Sequence, residues 1–134
     1  MEEQRRQFIR RRASERCEYC HLPQDGHEQR FSIDHHVARK HGGTETTDNL
    51  VFCCIRCNLH KGTDLTGIDP DTNSIVRLFN PRTQLWREHF RWHGATILGL
   101  TDTGRATVQV LKMNAPERIR LREALLLEGI LHPD

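Results

Sequence analysis

Two CxxC pairs constrain this chain more than any other feature of its sequence. Cys17 and Cys20 form the first pair, and Cys54 and Cys57 form the second. Thiolates at this spacing can bend over one tetrahedral metal ion, and four of them close its coordination shell. Reduced core cysteines are the alternative, but they do not account for two matched spacings. We therefore predict a structural zinc site, with Cys53 left to point into the core.

The composition favours a structural metal. Hydrophobic residues make up 36% of the 134 residues and aromatic residues 6%, which is thin for a self-sufficient core. No apolar run is long enough to span a membrane, and the basic N-terminus lacks the apolar segment of a signal peptide. We therefore expect a cytoplasmic protein, and cysteine pairs in that compartment are more often metal ligands than disulfides.

The N-terminal residues 1–16 predict a helix or a frayed helical arm. The net charge of the chain is only +2, so the clustering of arginines here is more informative than their total. A solvated helix and a phosphate-contacting arm both remain open, because arginine forks suit phosphate oxygens. The clustered arginines are Arg5, Arg6, Arg10, Arg11 and Arg12.

The stretch between the cysteine pairs predicts a ββα unit. Residues 31–35 alternate apolar and polar side chains, as a half-buried strand does. Residues 37–47 are expected to form a loop that turns at its two glycines, and residues 48–52 lead into a second strand. Residues 54–61 then predict a knuckle followed by a short helix, so zinc would close the base of the unit.

The C-terminal half predicts a smaller mixture of strands and helices. Residues 106–113 are ambiguous between a helix and a strand, because the run is rich in β-branched residues but short. The other predicted segments are a loop at 63–73, a strand at 74–79, a short helix at 82–90, a strand at 95–100 and a turn at 102–104.

The end of the chain predicts a final helix. Asn114 is placed to cap it, Pro116 suits its first turn, and Gly129 marks its end. Its apolar stripe is expected to pack and its arginines to face water. The stripe is Leu121, Ala124 and Leu125, and the arginines are Arg118, Arg120 and Arg122.

A group of aromatic residues precedes that helix and admits two interpretations. In the favoured interpretation, a small second core packs against the ββα unit and consists of Trp86, Phe90 and Trp92. In the other, they join basic neighbours to form a nucleic-acid surface, because bases stack on exposed aromatic rings. Those neighbours are Arg82, Arg87, His89 and Arg91.

Four short motifs follow one another at defined spacing between residues 33 and 62. They are Ile33-Asp34-His35, Gly42-Gly43, Asp48-Asn49-Leu50 and Cys54-x-x-Cys57-Asn58-x-x-Lys61-Gly62. This pattern resembles the HNH family of ββα-metal endonucleases, in its variant with a four-cysteine zinc site. The resemblance implies an α+β fold. A ββα-metal core stapled by zinc would occupy residues 15–66, between a basic arm at 1–14 and a small α/β extension at 67–134.

The resemblance also implies an enzyme, an HNH endonuclease that hydrolyses DNA phosphodiester bonds with one catalytic ion. Asp34 and Asn58 would hold Mg²⁺ or Mn²⁺, which prefer oxygen ligands. His35 would activate the water as general base, since imidazole titrates near neutral pH. On a regular strand its side chain points to the opposite face from that of Asp34. Asn49 would brace the loop that fixes the histidine ring.

Four basic residues are expected to contact the nucleic acid, most simply double-stranded DNA. Lys61 is assigned to a phosphate, while Arg39 and Lys40 on the loop either touch the DNA backbone or are merely solvated. Arg56 completes this group. Two histidines near the site receive lesser roles: His36 as a packing or phosphate-facing residue, and His60 as a residue that faces away from the metal.

Two other functions remain open at this stage. One is a zinc-dependent nucleic-acid-binding module without catalysis, although such a module does not need the complete set of His35, Asp34 and Asn58. The other is a nuclease subunit that is active only inside a larger complex. A homodimer also remains open, and the resemblance points to a bacterial or phage protein.

Overall fold

The computed structural model describes residues 2–25 and 27–133, which form helices and three hairpins in an α+β arrangement. The helices are α1 (Glu3–Arg12), α2 (Ile55–Lys61), α3 (Trp86–His89), α4 (Asp102–Val110) and α5 (Pro116–Leu127), with a short 3₁₀ helix at Arg39–His41. The strands are β1 (Ser32–His35), β2 (Leu50–Cys53), β3 (Thr66–Ile68), β4 (Ile75–Arg77), β5 (Phe90–His93) and β6 (Thr96–Gly99).

The predicted ββα unit is confirmed in β1, β2 and α2. The two strands pair antiparallel, with Asp34 opposite Val51 and His35 opposite Leu50. All four residues of β2 are buried, whereas those of β1 are half-buried. The long loop between the strands turns at Gly42, whose φ of 87° is a left-handed conformation that glycine adopts without steric cost.

The N-terminal arm is a helix that is docked on the ββα unit through its last turn. Ile9 is its buried residue, while Phe8 is exposed. Arg12 donates hydrogen bonds to the carbonyl oxygens of Thr47 at 2.9 Å and Leu50 at 2.8 Å. At least one of the clustered arginines therefore holds the entrance to β2 in place.

The segment before β6 differs from the sequence prediction in two places. The predicted loop at 63–73 contains β3, which pairs with β4 to make the second hairpin. The predicted helix at 82–90 is shortened to α3, and its last residue passes directly into β5. The strands β3 and β5 were missed because neither has a long alternating pattern of its own.

The predicted turn at 102–104 is wrong, because α4 begins there. Thr101 caps this helix by accepting a hydrogen bond from the Gly104 backbone N–H at 3.0 Å. A Cβ atom on Gly104 would lie only 2.1 Å from the carbonyl oxygen of His89. Glycine is therefore needed for a close backbone approach to His89, the last residue of α3, and not for a turn.

The final helix was placed correctly, but its cap and its polar face were not. Ala115 stands at the N-cap, with Pro116 in the first turn. Asn114 instead pairs with the backbone of Ile97, donating to its carbonyl oxygen and accepting from its N–H. Arg118 and Arg122 are buried, whereas Leu121 of the expected apolar stripe is partly exposed.

The aromatic rings pack on one another and against the hydrophobic core of the chain. The centroid of the Trp86 ring lies 5.1 Å from that of Phe90 and 5.8 Å from that of Trp92. The Trp86 indole N–H donates to the carbonyl oxygen of Tyr19 at 2.8 Å.

In the described part of the chain, no helix combines the length and the apolar composition needed to cross a membrane.

Candidate active site and metal cluster

The two cysteine pairs meet in one buried cluster. The Sγ atoms of Cys17, Cys20, Cys54 and Cys57 lie within 4.8 Å of one another. Cys54 caps α2, because its sulfur accepts a hydrogen bond from the backbone N–H of Cys57 at 3.4 Å. Four soft sulfur donors around one point are the ligand set typical of structural zinc, so the cluster is a zinc-type site.

Burial makes the thiolate form of these cysteines unfavourable unless a cation lies nearby. It raises the pKa of the Cys17 and Cys57 thiols well above the ordinary value for cysteine. Thiolates in such a place need positive charge within reach, and a coordinated metal ion provides it. The chemistry of the donor set therefore fits a divalent ion of the zinc type.

Arg118 also brings positive charge to the cluster. Its Nη2 donates to the sulfur of Cys57 at 3.1 Å and lies 3.8 Å from that of Cys54. Cys53 lies beside these residues but outside the cluster, buried as predicted, with its thiol donating to the Cys54 carbonyl oxygen. The role of Arg118 was missed because its charge predicted a solvated face.

The residues proposed for catalysis line one open depression with a volume of about 500 Å³. It lies between the end of β1, the start of the loop and the solvent-facing side of α2. Its lining residues are Asp34, His35, Ala38, Arg39, Lys40, Asn58, Gly62 and Thr63. The fold therefore brings both candidate metal ligands and the candidate base to a single surface.

Asp34 and His35 both line this depression, although adjacent residues of a regular strand point to opposite faces. His35 is the last residue of β1. Its backbone N–H donates to Asp34 Oδ1 at 2.9 Å, which holds the carboxylate near the strand end. Asn58 uses its amide nitrogen to donate to Ser32 Oγ at 3.3 Å, a bond that does not engage its oxygen.

Glu45 is a member of the site that the sequence did not reveal. Its carboxylate is hydrogen-bonded to Nε2 of His35 and forms an ion pair with Arg39. The hydrogen bond from His35, followed by the contacts with Arg39, lowers the pKa of Glu45. A charged carboxylate therefore orients the imidazole at the rim of the depression. No local pattern marks Glu45, because it lies in a polar loop.

Asn49 braces the loop, as the family resemblance implied. Its side-chain oxygen accepts from the Val37 N–H at 3.0 Å, and its nitrogen donates to the carbonyl oxygens of Val37 and Thr44, both at 2.9 Å. Its backbone carbonyl accepts from the His36 N–H at 2.9 Å. These bonds fix the chain that follows His35 rather than the His35 ring directly.

His36 and Lys61 are internal residues. His36 Nδ1 is hydrogen-bonded to the Tyr19 hydroxyl at 2.8 Å, and burial, aided by the charges of Lys61 and Arg77, lowers its pKa to about 4. His36 is therefore a neutral packing residue. The Lys61 side chain donates to the His36 carbonyl oxygen at 2.7 Å, and the residue is only 3% exposed. Its ammonium group supports the loop from inside instead of facing a phosphate.

The other basic residues predicted to contact nucleic acid lie in two different places on the protein. Arg39 and Lys40 are exposed at the rim of the depression, where they were expected. Arg56 instead lines a different cleft, beside Cys20 and Cys54 of the cluster. His60 lies near Lys112, Arg118 and Arg56 and is not among the residues that line the depression.

Together, the strand–loop–strand–helix unit and the buried cysteines define a metal-binding ββα domain. A family model described as HNH endonuclease matches residues 17–64. The match covers this segment and not the rest of the chain, and the four-cysteine cluster within it is consistent with the zinc-site variant of that family. No curated protein and no solved structure matches the chain.

Proposed function

We propose that the protein is a metal-dependent endonuclease that hydrolyses DNA phosphodiester bonds, with His35 as general base. The observation that carries this proposal is the shared depression in which Asp34, His35 and Asn58 meet at the protein surface. A binding module has no need for a carboxylate, an amide and an imidazole at one point. Metal-assisted phosphodiester hydrolysis uses oxygen ligands that hold the ion and a base that activates the water.

Asp34 and Asn58 are the residues that would hold the catalytic ion, since carboxylate and amide oxygens suit Mg²⁺ or Mn²⁺. The bound ion would supply charge neutralisation at the phosphate and the leaving oxygen. His35 accepts the proton of the attacking water, Glu45 orients its ring, and Asn49 fixes the loop that carries Glu45. The cysteine cluster takes no part in this chemistry and serves as a structural zinc site.

The first test is cleavage of supercoiled plasmid by the purified protein with Mg²⁺, Mn²⁺ or EDTA. We expect metal-dependent nicking that falls at least about 10²-fold in His35→Ala, while DNA binding is retained. His41→Ala is the matched control, because His41 is exposed on the same loop. Equal cleavage by His35→Ala and the wild type would remove His35 from the base role.

The same experiment separates the other functions. DNA binding without cleavage, with every metal tested, would favour a zinc-dependent binding module or a subunit that needs a partner. Arg39 and Lys40 are the residues expected to neutralise phosphates in either case.

Replacing Arg39 and Lys40 with Gln should weaken DNA binding. The slope of log K against log salt concentration should fall by about one unit for each phosphate that is no longer neutralised. The exposed Arg120 on α5 provides the control, as Arg120→Gln. An unchanged salt dependence in the double variant would remove both residues from the interface.

A further inference from the structure

The guanidinium group of Arg118 is held between the cysteine cluster and the backbone of the extension. On one side Nη2 donates to the sulfur of Cys57 at 3.1 Å and lies 3.8 Å from that of Cys54. On the other side Nη1 donates to the carbonyl oxygens of Leu111 at 2.6 Å and Lys112 at 3.2 Å. The residue is 6% exposed, so its orientation is fixed by these bonds rather than by solvent.

Charge explains why an arginine is accommodated at this buried position. Four thiolates around a divalent ion leave the cluster with excess negative charge, and burial deprives that charge of water. A cation that donates N–H bonds to the sulfurs offsets the charge without occupying a coordination position. An arginine suits this role, because its planar fork offers several donors in fixed directions.

The cluster is also reachable along one side. A cleft of about 300 Å³ is bordered by Cys20 and Cys54 of the cluster and by Arg56 of α2. Arg118 lines the same cleft, so a chelator or an oxidant that approaches the sulfurs by this route meets its guanidinium. The residue that bonds to the sulfurs therefore also lies on the approach to them.

We propose that Arg118 is a positioning residue of the zinc site, an outer-sphere hydrogen-bond donor to Cys57 and Cys54 that controls zinc release. Docking of α5 then determines how tightly the metal is held, although α5 contributes no ligand. This inference rests on occupation of the cluster by zinc and is independent of nuclease activity.

Zinc transfer from the holoprotein to a chromogenic chelator tests the proposal. Arg118→Met preserves the length and packing of the side chain but removes the N–H donors. Loss of outer-shell partners typically weakens metal binding about 10–100-fold, and we expect zinc release to accelerate by that factor. Arg120→Met is the matched control, because Arg120 is exposed on the same helix. A wild-type release rate in folded Arg118→Met would overturn the proposal.

Cobalt substitution gives a readout that a purely structural role would not change. N–H bonds to sulfur stabilise the thiolate lone pairs, so their loss should move the thiolate-to-cobalt charge-transfer band to lower energy. An unmoved band in folded Arg118→Met would count against the proposed bonds. Should Arg118→Met fail to fold, Arg118→Lys decides, because one ammonium cannot bridge both sulfurs and both carbonyls. Faster zinc release from Arg118→Lys supports the proposal, and a wild-type rate overturns it.

Discussion

Arg82 and Glu18 form an ion pair in which both side chains are almost completely buried, with 10% and 7% of their surfaces exposed. Glu18 also accepts a hydrogen bond from the Phe52 N–H at 2.9 Å, and Arg82 donates to the Leu50 carbonyl oxygen at 3.4 Å. The pair therefore joins the residues after β4 to Leu50 and Phe52 of β2.

Removing one partner of this pair should be strongly destabilising. Arg82→Met leaves the Glu18 carboxylate buried without its counter-ion, which typically costs about 3–5 kcal/mol. The double variant Glu18→Gln/Arg82→Met should lose less than the sum of the single losses, since no charge remains unpaired. Urea unfolding of the four proteins measures this coupling. Strictly additive losses would show that the two residues act independently.

Gly104→Ala should disrupt the contact between α4 and the last residue of α3. The new methyl group would overlap the His89 carbonyl oxygen, so the two backbones must separate, at an expected cost of about 1–3 kcal/mol or more. Gly94→Ala is the matched control. Its Cβ meets open space, and only the left-handed φ of 58° opposes it, by about 1–2 kcal/mol. A melting temperature for Gly104→Ala equal to or above that of Gly94→Ala would contradict the close-approach explanation.

Asn49→Asp should loosen the loop while leaving the rest of the fold intact. A carboxylate can still accept from the Val37 N–H, but it cannot donate to the carbonyl oxygens of Val37 and Thr44. Faster hydrogen exchange over residues 36–45 and at least tenfold slower DNA cleavage are expected. Asp48→Asn, at the exposed neighbouring position, serves as the control. Unchanged exchange in Asn49→Asp would show that the loop does not depend on these bonds.

Cys54→Ser should abolish stable folding. Structural zinc supplies binding free energy on the order of 10 kcal/mol, which is comparable with the whole stability of a small domain. Cys53→Ser is a matched control, because Cys53 is buried beside the cluster and its hydroxyl replacement can still donate to the Cys54 carbonyl oxygen. Metal analysis and thermal melting should give one zinc per chain in Cys53→Ser and none in Cys54→Ser. A soluble Cys54→Ser protein with an unchanged melting temperature would exclude the structural role of zinc.

The sequence predicted the ββα unit well because its determinants are local. The Asp34-His35 pair ends a strand, Gly42 supplies a left-handed turn, and Cys54 caps the helix that carries Asn58. Each of these features depends mainly on neighbours along the chain. The shared position of the candidate site residues follows from the compact ββα unit that carries them.

Features that depend on tertiary contacts were not predictable in this way. Gly104 resembles a turn residue, and only the approach of the His89 carbonyl shows why a helix has glycine there. Arg118 and Lys61 carry charges that predict solvent exposure, yet their partners are sulfur and carbonyl atoms distant in sequence. No periodicity distinguishes a buried arginine from a solvated one.

The ties between the matched segment and the rest of the chain bear on modularity. Excising residues 17–64 would keep the four cysteines and the residues proposed for chemistry. It would also remove three side chains that contact this segment. They are Arg82, the counter-ion of Glu18, Trp86, whose indole donates to the Tyr19 carbonyl, and Arg118, whose guanidinium donates to the Cys57 sulfur. The segment that matches the family model is therefore smaller than the part of the chain that these contacts join. Transplanting the fragment into another protein would require substitutes for these three interactions.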